Sequence, residues 1–263
     1  MVYVDIKLIN LENFQIKKIF QTKCYSLEQG VRINWIDNIR ITINSLDDNK
    51  FPQFIIFNIE SMKIEKVIKN YFAHQLSGKQ KQICTSLDYS CISSSWPSYG
   101  FYHESTNAQP RNSLNIYNWV ENKLIFRIHL NQIDSYKKYE DGFIIHPTMS
   151  ADGKKLLFMH RMNFQNILYS WIYLANIEKN EINLISEEKV SHFTWINNDK
   201  FLLFQRLLPK IIKKRRLKLI HSSKKNETQK SFKINNLNKK IILFNILKVF
   251  FKRMSSGFVL YKI

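Results

Sequence analysis

Glycine, proline and cysteine are all scarce in this chain, with six Gly, five Pro and three Cys among 263 residues. With so few of the usual turn formers, tight turns must fall to Asn and Asp. Their side chains bond the local backbone and tolerate the left-handed region. The cysteines, Cys24, Cys84 and Cys91, are odd in number and lack metal-ligand spacing. A secreted disulfide scaffold is not expected on that ground, and small hydrophobes packed in strands in a reducing cytoplasm are. No run reaches the roughly 18 apolar residues that spanning a bilayer requires. The opening Met1-Val2-Tyr3-Val4-Asp5 has neither the basic start nor the apolar stretch of a signal peptide, so a cytoplasmic protein is expected. No Gly-x-Gly-x-x-Gly, P-loop, Gly-x-Ser-x-Gly or His-Glu-x-x-His phrase occurs. Nucleotide-dependent and serine-hydrolase chemistry therefore have no support.

Acidic residues are missing from one stretch only. Residues 205–263 carry 17 of the 40 Lys and Arg but one of the 21 Asp and Glu, Glu227. The first 204 residues are close to neutral, so the net charge of +19 belongs mainly to the tail. This marks a boundary between residues 1–204 and 205–263. Hydrophobic content of 44% with 14% aromatics describes a globular chain of one or two domains.

A short phrase occurs twice in the body. Trp35-Ile36-Asp37-Asn38 leads into Arg40-Ile41-Thr42-Ile43, and Trp195-Ile196-Asn197-Asn198 leads into Lys200-Phe201-Leu202-Leu203-Phe204. Each reads as an aromatic anchor, a polar turn and a short strand. Residues 31–68 form one antiparallel unit of this kind, and residues 74–140 a degenerate version. His146 to Ile185 is another, and Ser191 opens the next. The step from Met149 to Trp195 is 46 residues, the length of a four-stranded propeller blade. The expected fold is all-β, a partial β-propeller of about four blades. Its C-terminal tail is expected to be basic and partly helical or irregular, with one further strand at Gly257 to Tyr261.

The phrase His146-Pro147-Thr148-Met149-Ser150-Ala151-Asp152-Gly153-Lys154 resembles the His-Pro-x-Trp-Ser-Pro-Asp-Gly-Lys blade signature of TolB-like six-bladed propellers. Met149 stands in the tryptophan slot and Ala151 in the proline slot. Phe158 to Arg161, Trp171-Ile172-Tyr173 and Val190 to Trp195 are similar to bacterial propellers associated with cell-surface polysaccharide genes. Tyr25 to Trp35 and Trp96 to Tyr102 are similar to the same group. The resemblance covers roughly residues 20–204 and implies a truncated member, four blades' worth of a six-bladed ring. A partner chain that completes or caps the ring is one implied consequence, since an open ring exposes strand edges.

More distantly, the two histidine phrases resemble the oligogalacturonate lyases. That resemblance makes His160 a substrate-facing histidine and His192 a manganese ligand, with Arg161 in place of an acidic residue. The family's remaining ligands, a Gln and two His, lie in later blades beyond the matched stretch. Chemically, an imidazole can move a proton or bind metal, and a guanidinium pairs bidentately with the carboxylate of an acidic sugar. His160 and Arg161 are therefore the candidate catalytic pair and His192 the candidate metal ligand. Trp96, Tyr99 and Tyr102, on a long polar and aromatic loop, are the candidate substrate-binding residues. His146 is expected to bond a neighbouring strand, and Trp35 and Trp195 to sit between sheets.

Three functions follow as expectations. The first is a non-catalytic module that binds oligosaccharide or polysaccharide in cell-surface polysaccharide production, without a cofactor. The second is a lyase acting on uronates by β-elimination with manganese. The third is a scaffold docking an anionic membrane surface through Lys213-Lys214-Arg215-Arg216 and the apolar Ile241 to Phe251. Nucleic acid is a less favoured partner for that tail, because no nucleic-acid motif accompanies the charge.

Overall fold

The structure is a computed structural model that describes residues 3–87, 89, 92, 96, 98–101, 113–164, 167–187, 189–206 and 256–262. The chain divides into two compact units, Met1–Glu187 and Glu188–Ile263. The basic cluster Lys213 to Arg216 and the Ile241 to Phe251 run lie outside the described residues.

The first unit opens with a hairpin, β1 (Val4–Ile9) against β2 (Ile16–Thr22). Three four-stranded antiparallel sheets follow, each built from strands consecutive in sequence. The first holds β3 (Asn34–Trp35), β4 (Arg40–Leu46), β5 (Pro52–Asn58) and β6 (Lys63–Lys69). The second holds β7 (Gln75–Ser77), β8 (Ile83–Leu87), β9 (Ser113–Asn118) and β10 (Lys123–His129). A short helix, α1 (Asp134–Tyr139), precedes the third sheet. That sheet holds β11 (Phe143–Met149), β12 (Lys155–Phe164), β13 (Ile167–Asn176) and β14 (Glu181–Ser186). An all-β chain of successive four-stranded meanders is the blade pattern of a propeller. The second unit carries one three-stranded antiparallel sheet in the order β15 (Lys189–Asn197), β16 (Lys200–Arg206), β17 (Ser256–Lys262).

Side-chain amides and carboxylates make the turns. Asp47 Oδ1 accepts the Asn49 and Phe51 amides at 3.0 and 2.8 Å. Asn58 Oδ1 accepts those of Glu60 and Ser61, each at 3.0 Å. Asn118 does the same for Val120 and Glu121, each at 3.1 Å. Lys50, Met62, Asn122 and Asn180 adopt positive φ in these hairpins. The repeated phrase uses the same device twice: Asp37 Oδ1 accepts the Ile39 and Arg40 amides, and Asn197 Oδ1 accepts that of Asp199. Two of the few glycines go where neighbouring sheets touch. Gly78 (φ +79°) donates to the Ala151 carbonyl at 3.2 Å, and a Cβ on Gly153 (φ +77°) would sit 2.7 Å from Ile83 Cδ1. Gln75 Oε1 accepts the Met149 amide at 2.8 Å, and Ser77 Oγ donates to the Ser150 carbonyl, across the same seam.

β5 is buried on both faces, and its period of two sorts its side chains between two cores. Phe54 and Ile56 pack with Ile68, Ala73, Cys84, Tyr117 and Trp119, joining the first sheet to the second. Ile55 and Phe57 pack with Ile41 and Ile43 against Ile6 and Ile19 of the hairpin. One expectation is corrected at this point. Trp35 is 47% exposed, and its neighbour Ile36, on the opposite side of the chain, is the buried residue of the phrase.

Phe54→Ala removes a ring from the centre of the sheet-to-sheet core and should cost about 3–5 kcal/mol in urea unfolding. Trp35→Ala should cost less than about 1 kcal/mol. Equal losses from the two would contradict this division of the core.

Candidate functional site

β12 runs between β11 and β13, and its alternation sends His160 and Arg161 to opposite faces. His160 is fully buried. Its Nε2 lies 2.9 Å from the Asp141 carbonyl oxygen, which can only accept, so Nε2 carries the proton. Nδ1, 2.6 Å from Ser135 Oγ, then accepts from that hydroxyl. Ser135 Oγ accepts in turn from the Tyr173 hydroxyl at 2.8 Å, and the Ser135 amide donates back to it at 3.0 Å. The imidazole also stacks on Trp171, with centroids 5.3 Å apart at 23°. Burial depresses its pKa to about 4 despite the upward pull of the Asp141 carbonyl. The ring is thus neutral at pH 7, with both nitrogens engaged, and offers no lone pair to a substrate. Gly142 (φ +108°) makes this possible, since a Cβ there would collide with His160 Nε2 and the Arg161 carbonyl.

Arg161 enters a different environment. It is 7% exposed, and its guanidinium lies over the Trp96 ring, 5.6 Å from the centroid. Its Nε is buried with no hydrogen-bond partner among the described residues. Burial lowers its pKa, while the nearby Tyr99 hydroxyl and Glu28 carboxylate act in the opposite sense. Tyr99 packs beside Trp96 with centroids 6.1 Å apart, and its hydroxyl reaches His146 Nε2 at 2.6 Å. Burial pushes that hydroxyl up to about 12, against the pull of Arg32 and Arg161. Glu28 is held to the same loop: its side chain accepts from Ser98 Oγ, and its amide donates to the Ser98 carbonyl at 3.1 Å.

Arg32 lies over the Tyr89 ring, 5.5 Å from the centroid, and its Nε is likewise buried without a partner among the described residues. The Tyr89 hydroxyl bonds His74 Nδ1. Burial, then Arg32 and His146, hold His74 well below the ordinary imidazole value, so it is neutral. Arg32, His74 and His146 stand just before or on the leading strands β3, β7 and β11 of the three successive sheets. Two groups result, Arg161 with Trp96, Tyr99 and His146, and Arg32 with Tyr89 and His74.

Of the residues picked out in the sequence, Arg161, Trp96 and Tyr99 come together here. His146, expected to bond a neighbouring strand, bonds Tyr99. His160 turns away into the protein, and Tyr102 lies outside the described residues. His192 is exposed on β15 in the second unit, opposite Phe204 of β16. The sequence reasoning missed Arg32, His74, Tyr89 and Glu28. Arg32 and Glu28 fall in the Tyr25 to Trp35 stretch already noted for its similarity, and the spacing of strand starts was the one available signal for His74. Among the described residues, no three His, Cys, Asp or Glu side chains converge to hold a metal ion. They therefore do not fit a manganese site, which needs several imidazole or oxygen ligands at once. No helix among them is long and apolar enough to cross a membrane.

Neither a protein-family model nor a curated protein sequence matches this chain. Among solved structures, the β-propeller domain of the trilobed protease from Pyrococcus furiosus is similar at 12% identity and a TM-score of 0.41, over 78% of this chain and 55% of that one. TolB from Acinetobacter baumannii is similar at 12% identity and a TM-score of 0.39, over 77% and 45% of the two chains. An oligogalacturonate lyase in complex with manganese is similar at 9% identity and a TM-score of 0.37, over 75% and 63%. The chain thus spans about half the length of the first two. The meander pattern of the sheets themselves carries the description as propeller-type.

The depressed His160 pKa has a consequence for stability. Between pH 6.5 and about 4 the unfolded chain takes up a proton that folded His160 refuses. Stability therefore rises with pH across this window and is lost as pH falls through it. Replacing His160 by Gln should reduce the loss of unfolding free energy between pH 7 and 4.5 by about 2 kcal/mol. Denaturant titrations at the two pH values measure this, and an unchanged slope in the variant would contradict it.

Proposed function

We propose that this chain is a non-catalytic carbohydrate-binding module of propeller type, acting in the production or binding of a cell-surface polysaccharide. Its ligand is an acidic sugar, received by Arg161 beside Trp96 and Tyr99. The observation that carries the reading is the buried Arg161 guanidinium, held over Trp96 with an Nε that no described residue accepts from. A buried cation left with unused donors favours a charged acceptor, and a uronate carboxylate matches the guanidinium fork in shape and sign. Aromatic rings beside it supply apolar surface for the faces of a sugar ring.

The non-catalytic part of the reading is supported by the histidine. β-Elimination from a uronate needs a base for the proton α to the carboxylate and a cation for the enolate-like intermediate. His160 has both nitrogens committed to Ser135 and Asp141.

Titration calorimetry of the full chain with oligogalacturonate should give saturable binding without manganese, and Arg161→Met should weaken it by about tenfold or more. No absorbance from unsaturated uronate product should develop, with or without manganese. Binding unchanged in Arg161→Met would sink the assignment of the site. A manganese-dependent rise in absorbance would make the protein a lyase instead.

A further inference from the structure

We infer that the tip of the β1–β2 hairpin is a docking element that enters the surface of an anionic lipid bilayer. Four apolar side chains there face water. Leu11 is 81% exposed and Phe14 74%, and Ile9 and Ile16, paired across the strands just behind them, are exposed as well. None of the four belongs to the core that Ile6 and Ile19 of the same hairpin join. Phe14 also holds a φ of +57°, a conformation that a bulky side chain adopts at a cost and that Asn or Gly takes more readily. The fold therefore gains little from a phenylalanine at this position. The turn itself is well bonded. Asn10 Oδ1 accepts the Glu12 amide at 2.8 Å, and Asn13 Oδ1 accepts the Gln15 amide at 3.0 Å. The Phe14 and Asn10 amides donate to the Asn10 and Gln15 carbonyls at 2.8 and 3.0 Å. Amides already bonded within the turn lose little when water around them is replaced by lipid.

The order of charge along the hairpin identifies the partner. From Lys7 to Lys18 the chain carries three lysines and one acid, Glu12. Lys7 and Lys18 stand directly opposite one another, an arrangement that repels within the chain. Asp5, 2.8 Å from Lys18, supplies a counter-charge on the side away from the tip. Towards the tip, the hairpin presents this lysine pair, then the isoleucine pair, then Leu11 and Phe14. The lysines lie two residues behind the isoleucines, about 7 Å at the rise of an extended strand. Apolar elements at a bilayer surface sink roughly 5–10 Å into the boundary between headgroups and acyl chains. Ammonium groups at that spacing meet lipid phosphates as the apolar tip reaches the acyl chains. Glu12 works against the same field, which gives the attraction a sign that can be tested. This docking goes beyond the carbohydrate reading and does not rest on it.

The test is cosedimentation of the full chain with phosphatidylcholine vesicles, pure or containing about 30% phosphatidylserine. Residues 205–263 are strongly basic and add the same attraction to every variant, so the comparison is between wild type and single-site changes at the tip. Wild type should partition onto the anionic vesicles in preference to the neutral ones. Combining Leu11→Asn with Phe14→Asn should lower that partition coefficient by about tenfold or more. Glu12→Gln should raise it by about fivefold. The urea midpoint of Phe14→Asn should equal or exceed that of wild type, which keeps the loss of binding separate from a loss of folding. A double variant that partitions within about twofold of wild type would overturn the inference and assign vesicle binding to the basic tail. Weaker partition of Glu12→Gln would overturn it too. So would a wild type that ignores vesicles and sediments as a dimer that the double variant dissolves, because the tip would then be an interface between copies.

Discussion

Strand β5 of the first sheet is apolar on both faces, and the layers around that sheet follow from the need to cover it. A strand such as Phe54-Ile55-Ile56-Phe57 cannot turn one side to water, because every residue of it is at most 3% exposed. Hydrophobic burial at about 25 cal/mol per Å² is the main favourable term available to it. A second layer on each side is the physical solution. For the first sheet, one layer is the next sheet, through Cys84, Tyr117 and Trp119, and the other is the N-terminal hairpin, through Ile6 and Ile19. The strand pair β1–β2 thus covers the face of the first sheet opposite the second sheet.

Face-to-face packing also explains where polarity collects. With the faces committed to apolar contact, charged and aromatic-polar groups are left to the segments entering the leading strands and to the loop around Trp96. Arg32 and His74 stand just before β3 and β7, and His146 lies on β11. Residues more than a hundred apart in sequence are thereby brought into one electrostatic neighbourhood. The low-dielectric surroundings strengthen each interaction within it and make each unpaired donor more costly.

Much of the fold was legible because turn chemistry and strand alternation are local. The sheets at Asn34–Lys69, Gln75–His129 and Phe143–Ser186 match the units read from Asp, Asn and apolar spacing. The strand near Gly257 was visible in the same way. The hairpin β1–β2 was not read, since Val4–Ile9 and Ile16–Thr22 are mostly exposed and alternate only weakly. Trp35 was misread because aromatic size suggests an anchor, whereas the pleat decides which of two neighbours points inward. Arg161, Trp96 and Tyr99 were picked out from residue chemistry, and the structure brings them together. His160 has the same chemistry on paper, yet Ser135 and the Asp141 carbonyl take both of its nitrogens, and nothing in a one-dimensional reading announces those partners.

The sequence by itself determined the class of the fold, the blade length and the residues able to make turns. These depend on interactions within a few residues along the chain, where spacing alone fixes geometry. Tertiary structure decided which of two adjacent residues on β12 lies over Trp96 and which is an internal strut. It also placed Arg32 over the ring of Tyr89, far along the chain. Both outcomes depend on the pleat direction and on which sheet lies alongside, and those are set by packing between segments far apart in the chain.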